Sequence, residues 1–119
     1  MTKMPKPKIL AIDLDGVIHD HKNPLPGKRM GAPLAGAEEA IDDLIQRGYK
    51  IVVHTVKATT PEGKKAVIDW LDHYTIDNHE VTAVKPDAEF YIDDKAITHH
   101  TWGDTISKLN ALTGYTDEY

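Results

Sequence analysis

The stretch Lys8-Ile9-Leu10-Ala11-Ile12-Asp13-Leu14-Asp15-Gly16 decides how this chain is read. Ile9 to Ile12 is a short continuous apolar run closed by an acid, the pattern of a strand buried on both faces of a parallel sheet. Side chains two apart along a strand lie on the same side, so Asp13 and Asp15 leave the strand's C-terminal end together. Gly16 then lets the chain turn sharply away.

Outward from this strand the pattern alternates. Residues 1–7 contain Lys3, Pro5, Lys6 and Pro7 and are expected to be a frayed lead-in. Residues 16–35 carry Gly16, Gly27 and Gly31 with Pro24, Pro26 and Pro33, which exclude a regular helix and predict an ordered loop with room for a small hairpin. From Gly36 to Arg47, Ala37, Ala40, Ile41, Leu44 and Ile45 recur at helical spacing, and Gly48 is placed to stop the helix. Tyr49 to His54 predicts a second strand rich in β-branched residues. Thr60, Pro61 and Glu62 predict a helix N-terminus, and Val67, Ile68, Leu71 and Tyr74 give that helix an apolar face to about residue 74. Val81 to Val84 and Phe90 to Ile92 predict two further strands. A last helix is expected from an N-cap at Asp104, through Ile106, Leu109 and Leu112, to Gly114.

The predicted order is β-loop-α-β-α-β-β-α. Such alternation implies α/β architecture: a three-layer, Rossmann-like, mostly parallel sheet with helices on both faces. Composition agrees. The chain has 119 residues, 14 Lys+Arg against 19 Asp+Glu, a formal net charge of −5 and no cysteine. One domain is expected over 1–119, since a chain of this mass exposes roughly 6,400 Å² when compact against roughly 19,000 Å² unfolded. The acid excess disfavours long nucleic acid as a partner held by bulk charge, without excluding a local basic patch. The absence of cysteine excludes disulfides, thiolate metal sites and cysteine nucleophiles. No apolar run approaches the ~20 residues of a membrane span, and Ile9–Ile12 is too short for a signal peptide, so a cytoplasmic protein is expected.

Ligands in open α/β sheets bind beyond the strands' C-terminal ends. Asp13, Thr55 and Asp93 all sit there, so residues distant in sequence are expected to converge. Asp13 and Asp15 at one strand end and Asp93 and Asp94 at another bring four carboxylates to one edge. Their repulsion calls for protonation or a cation, and a small set of hard oxygen ligands suits Mg²⁺. One aspartate of the first pair is then placed to attack phosphorus, and the other to exchange the proton of the leaving group and of water. Thr55 and Lys85 are the groups available to hold phosphoryl oxygens.

Asp13-Leu14-Asp15-Gly16-Val17, Val52-Val53-His54-Thr55, Lys85-Pro86 and Tyr91-Ile92-Asp93-Asp94 resemble, in this order, the four motifs of the haloacid dehalogenase superfamily. The resemblance spans about residues 8 to 112. Pro33 to Ala40 also looks like that family's entry to its first helix. The resemblance implies a Mg²⁺-dependent phosphomonoester hydrolase, with Asp13 as the phosphoryl-accepting nucleophile and Asp15 as general acid/base. It places phosphoryl binding at Thr55 and Lys85 and metal binding at Asp13, Asp93 and Asp94, with the main-chain carbonyl of Asp15 as a further ligand. Val17 and Ile92 depart from residues common in the family, and neither change removes a catalytic group. The positions where relatives insert a lid hold only residues 16–35 and 56–84, so a capless member with an open site is expected. Oligomerisation would then be one means of covering it. Small phosphorylated metabolites such as sugar phosphates or nucleotides are the favoured substrates.

Two alternatives stay open. One is a phosphatase acting on a macromolecule such as a phosphorylated nucleic-acid end. The other is a receiver-like or low-turnover phosphate-binding module, although receiver domains place the lysine last and here Lys85 precedes Asp93-Asp94. Several further residues are candidate substrate contacts. Lys57 stands where relatives often carry a substrate-contacting arginine. Lys28 and Arg29, with Lys22, favour an anion near the first loop. His19 and His21 are loop residues for which solvation competes with substrate contact. His54 fits a satisfied core position, and His99-His100 a surface turn. Trp70 and Trp102 are expected to pack.

Overall fold

The computed structural model describes residues 8–26 and 30–116. The lead-in of residues 1–7, and Lys28 and Arg29, lie outside them. In chain order the elements are β1 (Ile9–Asp13), β2 (His19–Pro24), β3 (Gly31–Pro33), α1 (Ala37–Gln46), β4 (Lys50–His54), a 3-10 turn (Val56–Thr59), α2 (Pro61–His73), β5 (Glu80–Thr82), β6 (Phe90–Ile92) and α3 (Trp102–Thr113). Four strands form one parallel sheet in the order β5-β4-β1-β6, and β2 with β3 forms a separate antiparallel hairpin. This is a Rossmann-like α/β arrangement with three helices.

The register explains the core. Leu10 pairs with Ile51 and Ile12 with Val53, while Val53 pairs with Val81, so these side chains share one face of the sheet. Ile41 from α1 and Val67 and Leu71 from α2 pack into that same cluster. Both helices therefore cover one face, as expected when successive right-handed crossovers step in one direction from β1 to β4 to β5. Ile51 and Val53 are fully buried, each contributing about 1.5–3 kcal/mol through burial of its side chain. Leu14 is fully buried as well, and it anchors the turn between Asp13 and Asp15 in the core.

The helix ends follow from local chemistry. The Thr60 hydroxyl accepts from the Gly63 amide at 3.0 Å and Pro61 occupies the first turn of α2. In α3 the cap differs from the expected Asp104: the Thr101 hydroxyl accepts from the Asp104 amide at 3.2 Å, and Asp104 lies in the first turn. Threonine in extended backbone three residues upstream is the better-placed acceptor, and Asp104 pairs instead with Lys108 at 3.0 Å. The 3-10 turn after β4 has no periodicity of its own, and the hydropathy pattern does not predict it.

The C-terminal part differs from the rest. Phe90, Tyr91 and Ile92 are 59%, 45% and 39% exposed, and α3 has no buried residue. Trp102, expected to pack, is 72% exposed and meets the His99 ring edge-on, with centroids 4.8 Å apart. The accessible area is 8954 Å², above the roughly 6,400 Å² of a compact chain of this mass, and the uncovered β6 and α3 surfaces contribute to that excess. Among the described residues no helix is long and apolar enough to cross a membrane.

Candidate active site at the C-terminal edge of the sheet

All four parallel strands end along one edge. Asp13 ends β1 and pairs with His54, while Ile12 pairs with Ile92, so Asp93 emerges beside Asp13. Carboxylate oxygens of Asp13, Asp93 and Asp94 lie within 4.8 Å of one another. Asp13 is half-buried, and its carboxyl is held above the usual carboxylate range. Burial is the largest cause, followed by the charge of Asp93, with Asp15 and Asp94 adding to it and the Leu14 amide opposing it. Three hard oxygen donors, with the charges of Asp93 and Asp94 both acting on Asp13, fit a divalent cation such as Mg²⁺. Gly16 makes the close approach possible. Its φ is +84°, and a Cβ there would stand 2.2 Å from Asp94 Oδ2.

Asp15 parts company with Asp13. Its carboxylate is absent from the acidic cluster and is engaged on both oxygens: Lys57 Nζ donates to Oδ2 at 2.6 Å, and His19 Nδ1 bonds Oδ1 at 2.8 Å. Burial of Asp15 opposes ionisation, but hydrogen bonds from Lys57 and then His19, with the charge of Lys57, outweigh it and leave the carboxyl below its usual range. Two carboxylates two residues apart are thus driven in opposite directions.

Thr55 is buried just past β4; its amide donates to the Thr82 carbonyl at 2.9 Å, and its hydroxyl accepts from the Lys57 amide at 3.2 Å. That hydroxyl bond caps the 3-10 turn and so carries Lys57 back towards Asp15. Lys85 shares a cleft of about 140 Å³ with Asp13, His54, Tyr91 and Asp93. Its ammonium sits 4.4 Å from the centre of the Tyr91 ring, a cation–π contact. The Tyr91 hydroxyl donates to the Pro86 carbonyl at 2.7 Å and so ties the Lys85 loop to β6. His54 is half-buried and lines this cleft.

His19 is the largest surprise. It is 1% exposed, not a solvated loop histidine and not open to direct contact with a ligand. His21 and Lys22 are exposed on the same strand. Sequence reasoning missed the Lys57–Asp15 ion pair and the His19–Asp15 bond. The i to i+4 spacing of Asp15 and His19 was visible, but in a loop such spacing has no fixed meaning. Lys57 and Asp15 are separated by 42 positions, and only the sheet brings them together.

No protein-family model matches the chain, and no curated protein matches it. A solved structure from Bacteroides thetaiotaomicron, described as that of a conserved protein coded by a locus, is similar over 93% of this chain and 94% of that one. It has a TM-score of 0.63 at 21% sequence identity, a likeness of fold.

Proposed function

We propose that this chain is a Mg²⁺-dependent phosphomonoester hydrolase of the haloacid dehalogenase type, working through an aspartyl-phosphate. The observation that carries the reading is the convergence of Asp13, Asp93 and Asp94 from the ends of two neighbouring parallel strands. Support also comes from the order of the four motifs and from Asp15, which stands beside the cluster with its own donors.

Asp13 Oδ attacks phosphorus, forming the acyl-phosphate bond as the bond from phosphorus to the leaving oxygen breaks. Asp15, once its ion pair with Lys57 loosens, takes up a proton from solvent and delivers it to the leaving alkoxide, and in the second half it takes a proton from the water that attacks phosphorus. Inorganic phosphate leaves and Asp13 is regenerated. Because Lys57 occupies Asp15 Oδ2, an incoming phosphoryl anion gives Lys57 a second partner and opens that oxygen for proton exchange. Thr55 and Lys85 hold phosphoryl oxygens in this scheme. Asp13, Asp93, Asp94 and the main-chain carbonyl of Asp15 would hold Mg²⁺, which when bound offsets their charge and polarises the phosphoryl group.

The finer architecture belongs to the same proposal. The domain is capless, the β2–β3 hairpin standing where a lid would be inserted. α3 is the element available as a third layer over the sheet face that carries Ala11, Val52 and Tyr91. Small phosphorylated metabolites are the proposed substrates, bound in an open site beside the exposed Asp93 and Asp94.

A phosphate-release screen over sugar phosphates, nucleotides and aryl phosphates, with and without Mg²⁺, tests the proposal. Activity is expected with Mg²⁺ and is expected to fall at least on the order of 10³-fold in Asp13→Asn. Full Mg²⁺-dependent turnover by Asp13→Asn would sink it.

A further inference from the structure

His19 is buried, polar and bonded on both ring nitrogens, and the proposed reaction gives it no role. The Gly31 amide donates to Nε2 at 2.6 Å. That nitrogen therefore accepts, and the ring proton of the neutral imidazole lies on Nδ1, where it is donated to Asp15 Oδ1 at 2.8 Å. Gly31 is itself held from behind, because Trp70 Nε1 donates to its carbonyl at 2.9 Å. The Trp70 ring also meets the His19 ring edge-on, with centroids 5.4 Å apart. Glycine is required at this crossing, since a Cβ on Gly31 would stand 2.3 Å from the Asp20 carbonyl oxygen. An unbroken chain of contacts thus runs from α2 through the β2–β3 hairpin to one oxygen of Asp15.

The two donors to Asp15 are unlike. His19 is fully buried and fixed at both ends, whereas the Lys57 side chain is 34% exposed and sits on the end of a flexible stem. A carboxylate held on one oxygen by a rigid donor and on the other by a movable one can free only the second. We propose that His19 is the positioning residue of the proton-transfer group: through Nδ1–H it fixes Asp15 Oδ1 and leaves Oδ2 to exchange the proton with the leaving group. This inference rests on the phosphatase reading and adds to it a residue that touches neither substrate nor metal.

The test exploits the two ring nitrogens. A glutamine places an amide near Nε2 and lacks a donor at Nδ1, whereas an asparagine places its amide donor near Nδ1. Proton delivery matters for an alkyl phosphate, whose alkoxide leaves poorly, and little for p-nitrophenyl phosphate, whose phenolate leaves without help. In His19→Gln, kcat/KM is expected to fall about 10–100-fold on a simple alkyl phosphate and less than about threefold on p-nitrophenyl phosphate. His19→Asn is expected to recover most of the alkyl phosphate activity. Equal losses on both substrates, or equal behaviour of the two variants, would overturn the inference while leaving the phosphatase reading in place. A wild type with no phosphomonoesterase activity in the phosphate-release screen would overturn both.

A measurement on the unaltered protein guards against variants that do not fold. Nitrogen NMR of the histidine rings is expected to find His19 with its proton on Nδ1 and none on Nε2. The opposite tautomer overturns the proposal. Trp70→Phe, which keeps a ring against His19 but loses the bond to the Gly31 carbonyl, should shift activity in the same substrate-selective direction by a smaller factor.

Discussion

β4 and β6 flank β1 in the same sheet and run parallel to it, yet they occupy different surroundings. Ile51, Val52 and Val53 of β4 are at most 1% exposed, whereas every residue of β6 is exposed. For Ile51 and Val53 the cause lies in the helices laid over their face of the sheet, while β6 stays exposed. β4 lies under α1 and α2, which both pack on its face of the sheet. β6 leads into a loop and then α3, none of whose residues is buried. Hydrogen bonding to a central strand sets where a strand runs; a helix laid over it decides whether it is buried. The site inherits this division. Its β4 wall, with Thr55, is buried, and its β6 wall, with Asp93 and Asp94, faces solvent.

Substitution on the two walls measures that difference most directly. Ile51→Ala is expected to cost about 2–5 kcal/mol in denaturant unfolding, as for a buried isoleucine, and Ile92→Ala less than about 1 kcal/mol. Equal costs would show that β6 is covered in solution. A smaller effect is expected where the walls meet. Gly16→Ala forces a Cβ into positive φ, at about 1–2 kcal/mol, and pushes Asp94 away from Asp13. Calorimetric titration with Mg²⁺ should then show weakened binding, while unchanged affinity would remove Asp94 from the cation site.

The smallest effect concerns charge. Asp13 has its pKa raised in the folded chain, so its contribution to stability is fully present below the unfolded value of 3.8 and is lost as pH rises through the folded value. Removing the charge should therefore help at neutral pH. Without Mg²⁺, Asp13→Asn is expected to raise Tm at pH 7 by about 1–2 °C, modest because solvent screens a half-exposed group. The gain should vanish below pH 3.8, where Asp13 is protonated in both states. Asp15 has the opposite sign: its lowered pKa stabilises above the unfolded value of 3.8, and that contribution is lost as pH falls through the folded value. A destabilised Asp13→Asn at pH 7 would show that the acidic wall carries no repulsion.

Much of the fold was legible in the residues. The apolar run Ile9 to Ile12, the β-branched Ile51 to Val53 and the Thr60-Pro61 helix start each carry a local signal, and each element formed within a residue or two of its expected place. The convergence of Asp13 with Asp93 and Asp94 was also legible, because parallel strands must end along one edge. The last helix shows the limit. Ile106, Leu109 and Leu112 form an apolar stripe that predicts a helix correctly, but a stripe states only that a face is apolar and not that anything covers it.

By itself, the sequence determined which segments are strands and helices and which strand ends carry acids, since those depend on neighbours within a few residues and on the period of the backbone. Only the tertiary structure decided how the acids are used. It turned Asp13 towards Asp93 and Asp94 and gave both oxygens of Asp15 to Lys57 and His19. It also buried a histidine that composition would leave in solvent. Burial and hydrogen-bond partners are set by what the folded chain places within about 3 Å of a side chain, and no spacing along the sequence records that distance.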